Sequence, residues 1–153
     1  MKLVFFTLIC VSGILVAFEQ DPSLRRKHFN LENDLALDGY DAVAYLNQSK
    51  AIKGNKSNSV IYEGVTYYFS SVANKNEFLK NPSKFEPAYG GWCAFAMGSN
   101  GKTVSVDPKT FKIVNGRLNL FYNRFFNNTL EDWNKDEANL KRKADLNWQK
   151  TFH

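Results

Sequence analysis

Two histidines, two cysteines and two methionines leave this chain few side chains from which reactive or metal-binding centres are built. Zinc-finger arrays and disulfide-dense scaffolds draw on many more such residues, so both are excluded. Nine glycines and four prolines are too few for a collagen-like or low-complexity chain. Beyond the first eighteen residues no apolar run approaches the roughly 20 needed to cross a bilayer, which excludes a multi-pass membrane protein. Neither sign of charge dominates: 20 Lys and Arg face 15 Asp and Glu, a net charge of +5. The lysines at 50, 53, 56, 75, 80 and 84 are scattered rather than run together. That pattern is a solvated surface, and without a basic helix or reader motif it implies no nucleic-acid partner. What the chain has in quantity is aromatic side chains, 15% of residues, enough to build a core without covalent staples.

Lys2 precedes an apolar run from Leu3 to Phe18, which ends abruptly at Glu19, Gln20 and Asp21. The pattern predicts a signal peptide over residues 1–20, with the mature N-terminus between Phe18 and Asp21; a retained N-terminal anchor is the alternative. The expected location is secreted or periplasmic, with no stable membrane span after cleavage. Cys10 follows Thr7, Leu8 and Ile9, which lack the small residue that lipoprotein processing prefers, and reads as leader filler. Its removal leaves Cys93 with no intramolecular disulfide partner.

Residues 21–34, with Asp21-Pro22 and the basic triplet Arg25-Arg26-Lys27, read as a linker or a poorly packed first helix, and the domain is expected over 35–153. Ala42 to Leu46 is a short apolar run that reads as a buried strand. Val60 to Tyr62 and Val65 to Phe69 flank Glu63-Gly64 as a hairpin, and Phe111 to Val114 with Arg117 to Tyr122 form another across Asn115-Gly116. Ser70 or Ser71 caps a helix from Val72 to Leu79, ended by Asn81-Pro82. Trp92 to Met97 has helical character with Gly98 as its terminator. Lys102 to Val106 reads as a strand and Asp107-Pro108 as a turn. Leu130, Trp133, Leu140, Ala144 and Trp148 share one face of a long C-terminal helix, interrupted by Glu137 and capped by Asn128 with Glu131 or Thr129 with Asp132. The predicted fold is α+β: a small antiparallel sheet of hairpins packed against short helices and a C-terminal amphipathic helix.

Several segments in order carry a resemblance. Leu37-Asp38-Gly39-Tyr40-Asp41-Ala42-Val43-Ala44-Tyr45, Gly64-Val65-Thr66-Tyr67-Tyr68-Phe69-Ser70-Ser71, Phe78 with Asn81-Pro82, Tyr89-Gly90-Gly91-Trp92-Cys93-Ala94, Asp107-Pro108 and Gly116-Arg117-Leu118 resemble the stand-alone exported branch of the YHS-domain family. The resemblance implies a small α+β module associated with heavy-metal handling, found joined to copper-type transport ATPases and as short exported proteins. The partner it implies is a metal transporter or another envelope protein. One position departs from the pattern: Tyr67-Tyr68-Phe69 is followed by Ser70, where the metal-handling modules carry cysteine. A hydroxyl is a far poorer ligand for a soft ion than a thiolate.

Cys93 and Met97, one helical turn apart, are therefore the candidate metal ligands, and Cu(I) or another soft ion is the cofactor they would suit. Asp41, Tyr40, a neighbour of Met97 or a loop residue is the candidate third ligand. The competing reading makes both sulfurs core residues beside Trp92 and Phe95. No nucleophile and base set is visible, so no enzyme is expected: His28 lies in the basic linker, His153 is terminal, and Asp38, Asp41 and Asp107 stand in turns. Gly90-Gly91 reads either as an anion cradle or as room for tight packing. The aromatic set Tyr62, Tyr67, Tyr68, Phe69, Phe121 and Tyr122 reads first as core. Asn47, Asn55 and Asn127 each open a glycosylation triplet. Three functions remain open: an exported heavy-metal binder, a metal-free binder of a small molecule or protein partner with a structural core cysteine, and a thiol-dependent enzyme.

Overall fold

The computed structural model describes residues 21–152. The expectations for the leader, Cys10 and His153 lie outside the described residues. The fold is α+β, as expected, and residues 21–34, read as a linker or a poorly packed first helix, open with a helix. Asp21 caps α1 (Pro22–His28) by accepting from the Ser23 amide at 2.8 Å. Arg25 on α1 is only 3% exposed; its guanidinium meets Glu86 and Glu63 and lies 4.6 Å from the Phe29 ring and 5.4 Å from that of Tyr62. A charge this deep must be paired, and both of its carboxylates come from distant parts of the chain. Of the two readings of this segment, α1 is the helix, and Arg25 packs it against the rest of the fold.

Strands β1 (Leu31–Glu32) and β2 (Leu35–Ala36) follow, then a turn over Leu37–Gly39 and helix α2 (Ala42–Gln48). The expected strand at 42–46 is this helix. The Asp41 carboxylate accepts from the amides of Val43 at 2.9 Å and Ala44 at 3.2 Å and so starts it. Ala42 to Tyr45 are all buried, and a helix buried on every side shows no periodicity in its sequence.

Strands β3 (Asn55–Tyr62) and β4 (Val65–Phe69) form the expected hairpin. Glu63 and Gly64 both have positive φ, +46° and +81°, so this turn needs glycine for its conformation. Helix α3 (Val72–Lys80) starts with Ser71 accepting from the Asn74 amide, and α4 (Pro82–Phe85) follows. After a turn over Ala88–Gly91 comes α5 (Ala94–Asn100), which ends at Gly101 with φ +72 and not at Gly98. Gly98 serves a different purpose, since a Cβ there would lie 2.4 Å from the Leu140 carbonyl oxygen.

Residues 102–106, expected as a strand, are irregular, and the Val104 carbonyl accepts from the Cys93 amide at 2.9 Å. Asp107-Pro108 opens β5 (Asp107–Val114), which pairs with β6 (Arg117–Phe121) across the expected Asn115-Gly116 turn. The register shifts between Asp107 and Phe111, and the Asp107 carboxylate accepts from the Lys109 amide and the Thr110 hydroxyl there. The turn chemistry of that aspartate is real, but it is absorbed within the strand as a bulge.

The two hairpins do not share a sheet. One sheet has the order β1-β2-β4-β3, with β2 parallel to β4; β5-β6 stands apart; and β7 (Asn123–Arg124) with β8 (Asn127–Asn128) makes a third, minimal ribbon. The C-terminal helix is also divided, into α6 (Thr129–Lys135) and α7 (Glu137–Gln149), by non-helical backbone at Asp136, φ -149° and ψ 44°. Asn128 caps α6 and contacts Glu131, as the sequence pattern predicts. Trp133, Leu140 and Ala144 are buried. Glu137 interrupts the apolar face because its carboxylate accepts from the buried Trp133 indole N–H at 2.9 Å and pairs with Lys112.

Trp133 is fully buried against Phe121, with ring centroids 5.5 Å apart. Trp133→Ala should lower the unfolding free energy by about 3 to 5 kcal/mol, as large-aromatic truncation in a core does, and denaturant titration would measure it. An unchanged midpoint would place Trp133 outside the core.

Alkaline pH offers a second check. Tyr45 donates to the Pro108 carbonyl at 2.7 Å and Tyr67 to Glu86 at 2.6 Å, and burial pushes both phenols above their usual value. The folded state therefore holds protons that an unfolded tyrosine releases near pH 10. This stabilisation is complete below about pH 10 and is lost above it at up to about 1.4 kcal/mol per pH unit per tyrosine. Tyrosinate absorbance should appear for these residues in one cooperative step that coincides with loss of far-ultraviolet circular dichroism. Gradual ionisation in a folded protein would contradict their burial.

Candidate functional site

Cys93 is the N-cap residue of α5, with ψ of 116°, so its side chain leaves a backbone that is not yet helical. It is fully buried. The sulfur accepts from the Tyr122 amide at 3.4 Å and lies 3.4 Å from Thr129 Oγ1. The Thr129 hydroxyl donates to the Tyr122 carbonyl at 2.9 Å, so the thiol proton is left to donate to Thr129. Cys93, Thr129 and Tyr122 thus close a ring of hydrogen bonds in which the thiol is both donor and acceptor.

Met97 is equally buried but belongs elsewhere. Its side chain packs in the cluster of Tyr89, Phe121, Trp133 and Leu140, whereas Cys93 packs in the larger cluster with Phe69, Leu118 and Leu120. The four-residue spacing brings the Met97 amide onto the Cys93 carbonyl at 3.0 Å, yet the two sulfurs serve different cores. Cys93 also lines a groove of about 290 Å³ with Phe95, Ala96, Val104 and Thr129, a groove in which Met97 takes no part.

Asp41 is fully committed. Beyond capping α2, its second oxygen accepts from the Ser70 amide at 2.7 Å, the Ser70 hydroxyl at 2.6 Å and the Asn74 amide group at 2.7 Å. Five donors leave this carboxylate no lone pair for an ion, and Ser70 supplies two of them. Tyr40 holds Lys53 over its ring at 4.4 Å. Among the described residues, no group of three or more His, Cys, Asp and Glu side chains is placed to hold a metal. The His28 carbonyl accepts from the Trp92 indole at 2.7 Å.

The Tyr89-Gly90-Gly91 segment is packing first. A Cβ on Gly90 would stand 2.8 Å from both Phe29 and Trp148, and both glycine carbonyls accept from Asn30. Its tyrosine then does something the sequence did not signal. Tyr89 adopts left-handed backbone, φ 55° and ψ 35°, which is strained for an aromatic residue. From there its hydroxyl donates to Asp145 on α7 at 2.9 Å, and Lys141 pairs with the other Asp145 oxygen at 2.6 Å. Burial, and then the bond to Asp145, raise the Tyr89 phenol above its ordinary value.

These side chains line a cleft of about 370 Å³ between α7 and the β5-β6 hairpin, with Asn115, Arg117 and Trp148 on its other walls. Arg117 is exposed and forms no ion pair among the described residues. The cleft therefore combines two cations, one carboxylate already shared by Tyr89 and Lys141, and an indole. Charged groups beside an aromatic wall are the materials from which ligand sites are built. Lys141 and Asp145 carry no site signal in the sequence, and Arg117 stands there only within the Gly116-Arg117-Leu118 segment, because a strand and a helix that only the fold brings together form the cleft.

The burial of the thiol has a direct consequence. With Cys10→Ser as background, a thiol reagent should label Cys93 at the rate of global unfolding, and Cys93→Ala should be destabilised. Rapid labelling of the folded protein would return Cys93 to the list of accessible ligands.

No protein-family model matches this chain, and neither a curated protein nor a solved structure does.

Proposed function

We propose that the protein is an exported, YHS-like binding module that acts without catalysis and takes a small planar anion in the cleft between α7 and the β5-β6 hairpin. The observation that carries this reading is Tyr89, whose strained backbone places its hydroxyl on Asp145 at the cleft wall. Strain of that kind persists only where the surroundings over-determine it, and it concentrates at ligand sites. Asp145 neutralises Lys141, and Arg117 is left as the fork that a carboxylate matches in two hydrogen bonds. Trp148 supplies the flat apolar wall.

Cys93 is a core residue in this reading. Its closed hydrogen-bond ring and the separation of Met97 into another cluster favour the metal-free module over the copper-type one. The export expectation and the YHS resemblance supply the setting, an envelope or secreted protein.

Benzoate, compared with neutral benzamide, is the probe. Benzoate should perturb the amide resonances of Arg117, Lys141 and Trp148, and Arg117→Ala should weaken its binding about tenfold, the loss of roughly 1.4 kcal/mol expected of one charge-assisted contact. Equal response to both compounds, or perturbation confined to residues outside the cleft, would overturn the proposal. Anaerobic Cu(I) titration of wild type, Cys93→Ser and Met97→Leu should give equal competition with a chelator; selective loss in the variants would restore the metal reading.

A further inference from the structure

The β7-β8 ribbon turns through two phenylalanines. Phe125 is 90% exposed and Phe126 fully so, the two most exposed large apolar side chains among the described residues. Both have positive φ, 53° and 65°, the conformation of a two-residue hairpin turn that Asn-Gly or Asp-Gly adopts readily and a bulky aromatic residue does not. The other three hairpins among the described residues place Asn33-Asp34, Glu63-Gly64 and Asn115-Gly116 at their turns. Only this one accepts both backbone strain and exposed apolar area, so local structure alone does not account for Phe125 and Phe126.

The tip is held firmly at its base. The Thr129 amide donates to the Tyr122 carbonyl at 3.0 Å, the Asn123 side chain donates to the Thr110 hydroxyl at 3.0 Å, and Asn128 caps α6. The two rings therefore project from a short ribbon whose base these hydrogen bonds tie to the fold. Residues 122 to 130 include one cation, Arg124, and no acid, and asparagines flank the tip on both strands.

We infer that Phe125 and Phe126 insert into the interfacial layer of a phospholipid bilayer, with Arg124 at headgroup level. Area and shape select this occupant. Two phenylalanines offer about 400 Å², half of the roughly 800 Å² per partner that a specific protein interface buries, and they form a convex knob. A lipid surface requires neither a matching pocket nor that area. Charge agrees, since a protein of net charge +5 carries a cation beside the tip, although Glu32 and Asp38 share a polar recess with Arg124 and temper its pull on anionic lipid. Apolar insertion then supplies most of the attachment, which is reversible, as one weak membrane signal is. This inference is independent of the cleft and its ligand.

The test uses the full chain, because the readout is local to the tip. Phe126→Trp, added to vesicles of phosphatidylcholine with phosphatidylglycerol, should show a blue-shifted emission component absent from wild type, and bromine-labelled phosphatidylcholine should quench that component. Phe125→Asn with Phe126→Gly installs the favoured turn; this variant should melt no lower than wild type and lose at least tenfold in vesicle partitioning of the processed protein. An introduced indole that neither shifts nor is quenched, or a double variant that partitions as wild type does, overturns the inference.

Discussion

Five hydrogen bonds converge on the buried carboxylate of Asp41, and the N-terminal half of the fold is arranged around satisfying it. A buried anion without donors is costly enough that the chain must either keep it in water or surround it with N–H and O–H groups. Here two donors come from the first turn of α2, two from Ser70 at the end of β4, and one from Asn74 in α3. One side chain thereby starts a helix and ties that helix to the hairpin and to the helix after it. The apolar run at 42–45 can then be buried on all sides, because its own backbone is satisfied within α2.

A second buried charge closes the same half from the other direction. Arg25 brings α1 down between Glu63 in the β3-β4 turn and Glu86 after α4, and Tyr67 adds its hydroxyl to Glu86. The C-terminal half depends instead on proximity. Gly98 lets α5 approach the Leu140 backbone, and the buried apolar residues fall into two clusters, one holding Cys93 and the other Met97. The same docking of α7 carries Asp145 and Lys141 to Tyr89 and forms the cleft.

Much of the local structure was legible in the sequence. Gly64 and Gly116 mark two turns whose conformations the chain chemistry dictates, Ser71 and Asn128 cap the helices they precede, and Asn81-Pro82 ends α3. The misreadings have a common cause. Ala42 to Leu46 reads equally well as strand or helix because burial removes its period, and the decision fell to the carboxylate before it. Gly98 looked like a terminator because a close approach to Leu140 leaves no trace near residue 98. Arg25 lay in a run that reads as solvated linker, and its two partners are 38 and 61 residues further along the chain.

The candidate site divides in the same way. Cys93, Met97, Asp41 and the Tyr89-Gly90-Gly91 segment were all visible as unusual residues, yet their roles depend on neighbours supplied from a distance: Thr129 and Tyr122 for the thiol, Ser70 and Asn74 for the carboxylate, Asp145 for the phenol. The sequence by itself determined the α+β class, the two glycine hairpins, the caps and the aromatic core, because each follows from propensities and patterns that act over a few residues. Only the tertiary structure decided that the hairpins lie in separate sheets, that Cys93 and Met97 part company, and that Arg117, Lys141 and Asp145 share one cleft. Those outcomes are set by burial and by pairing between segments far apart in the chain, whose free energy exists only once the segments have met.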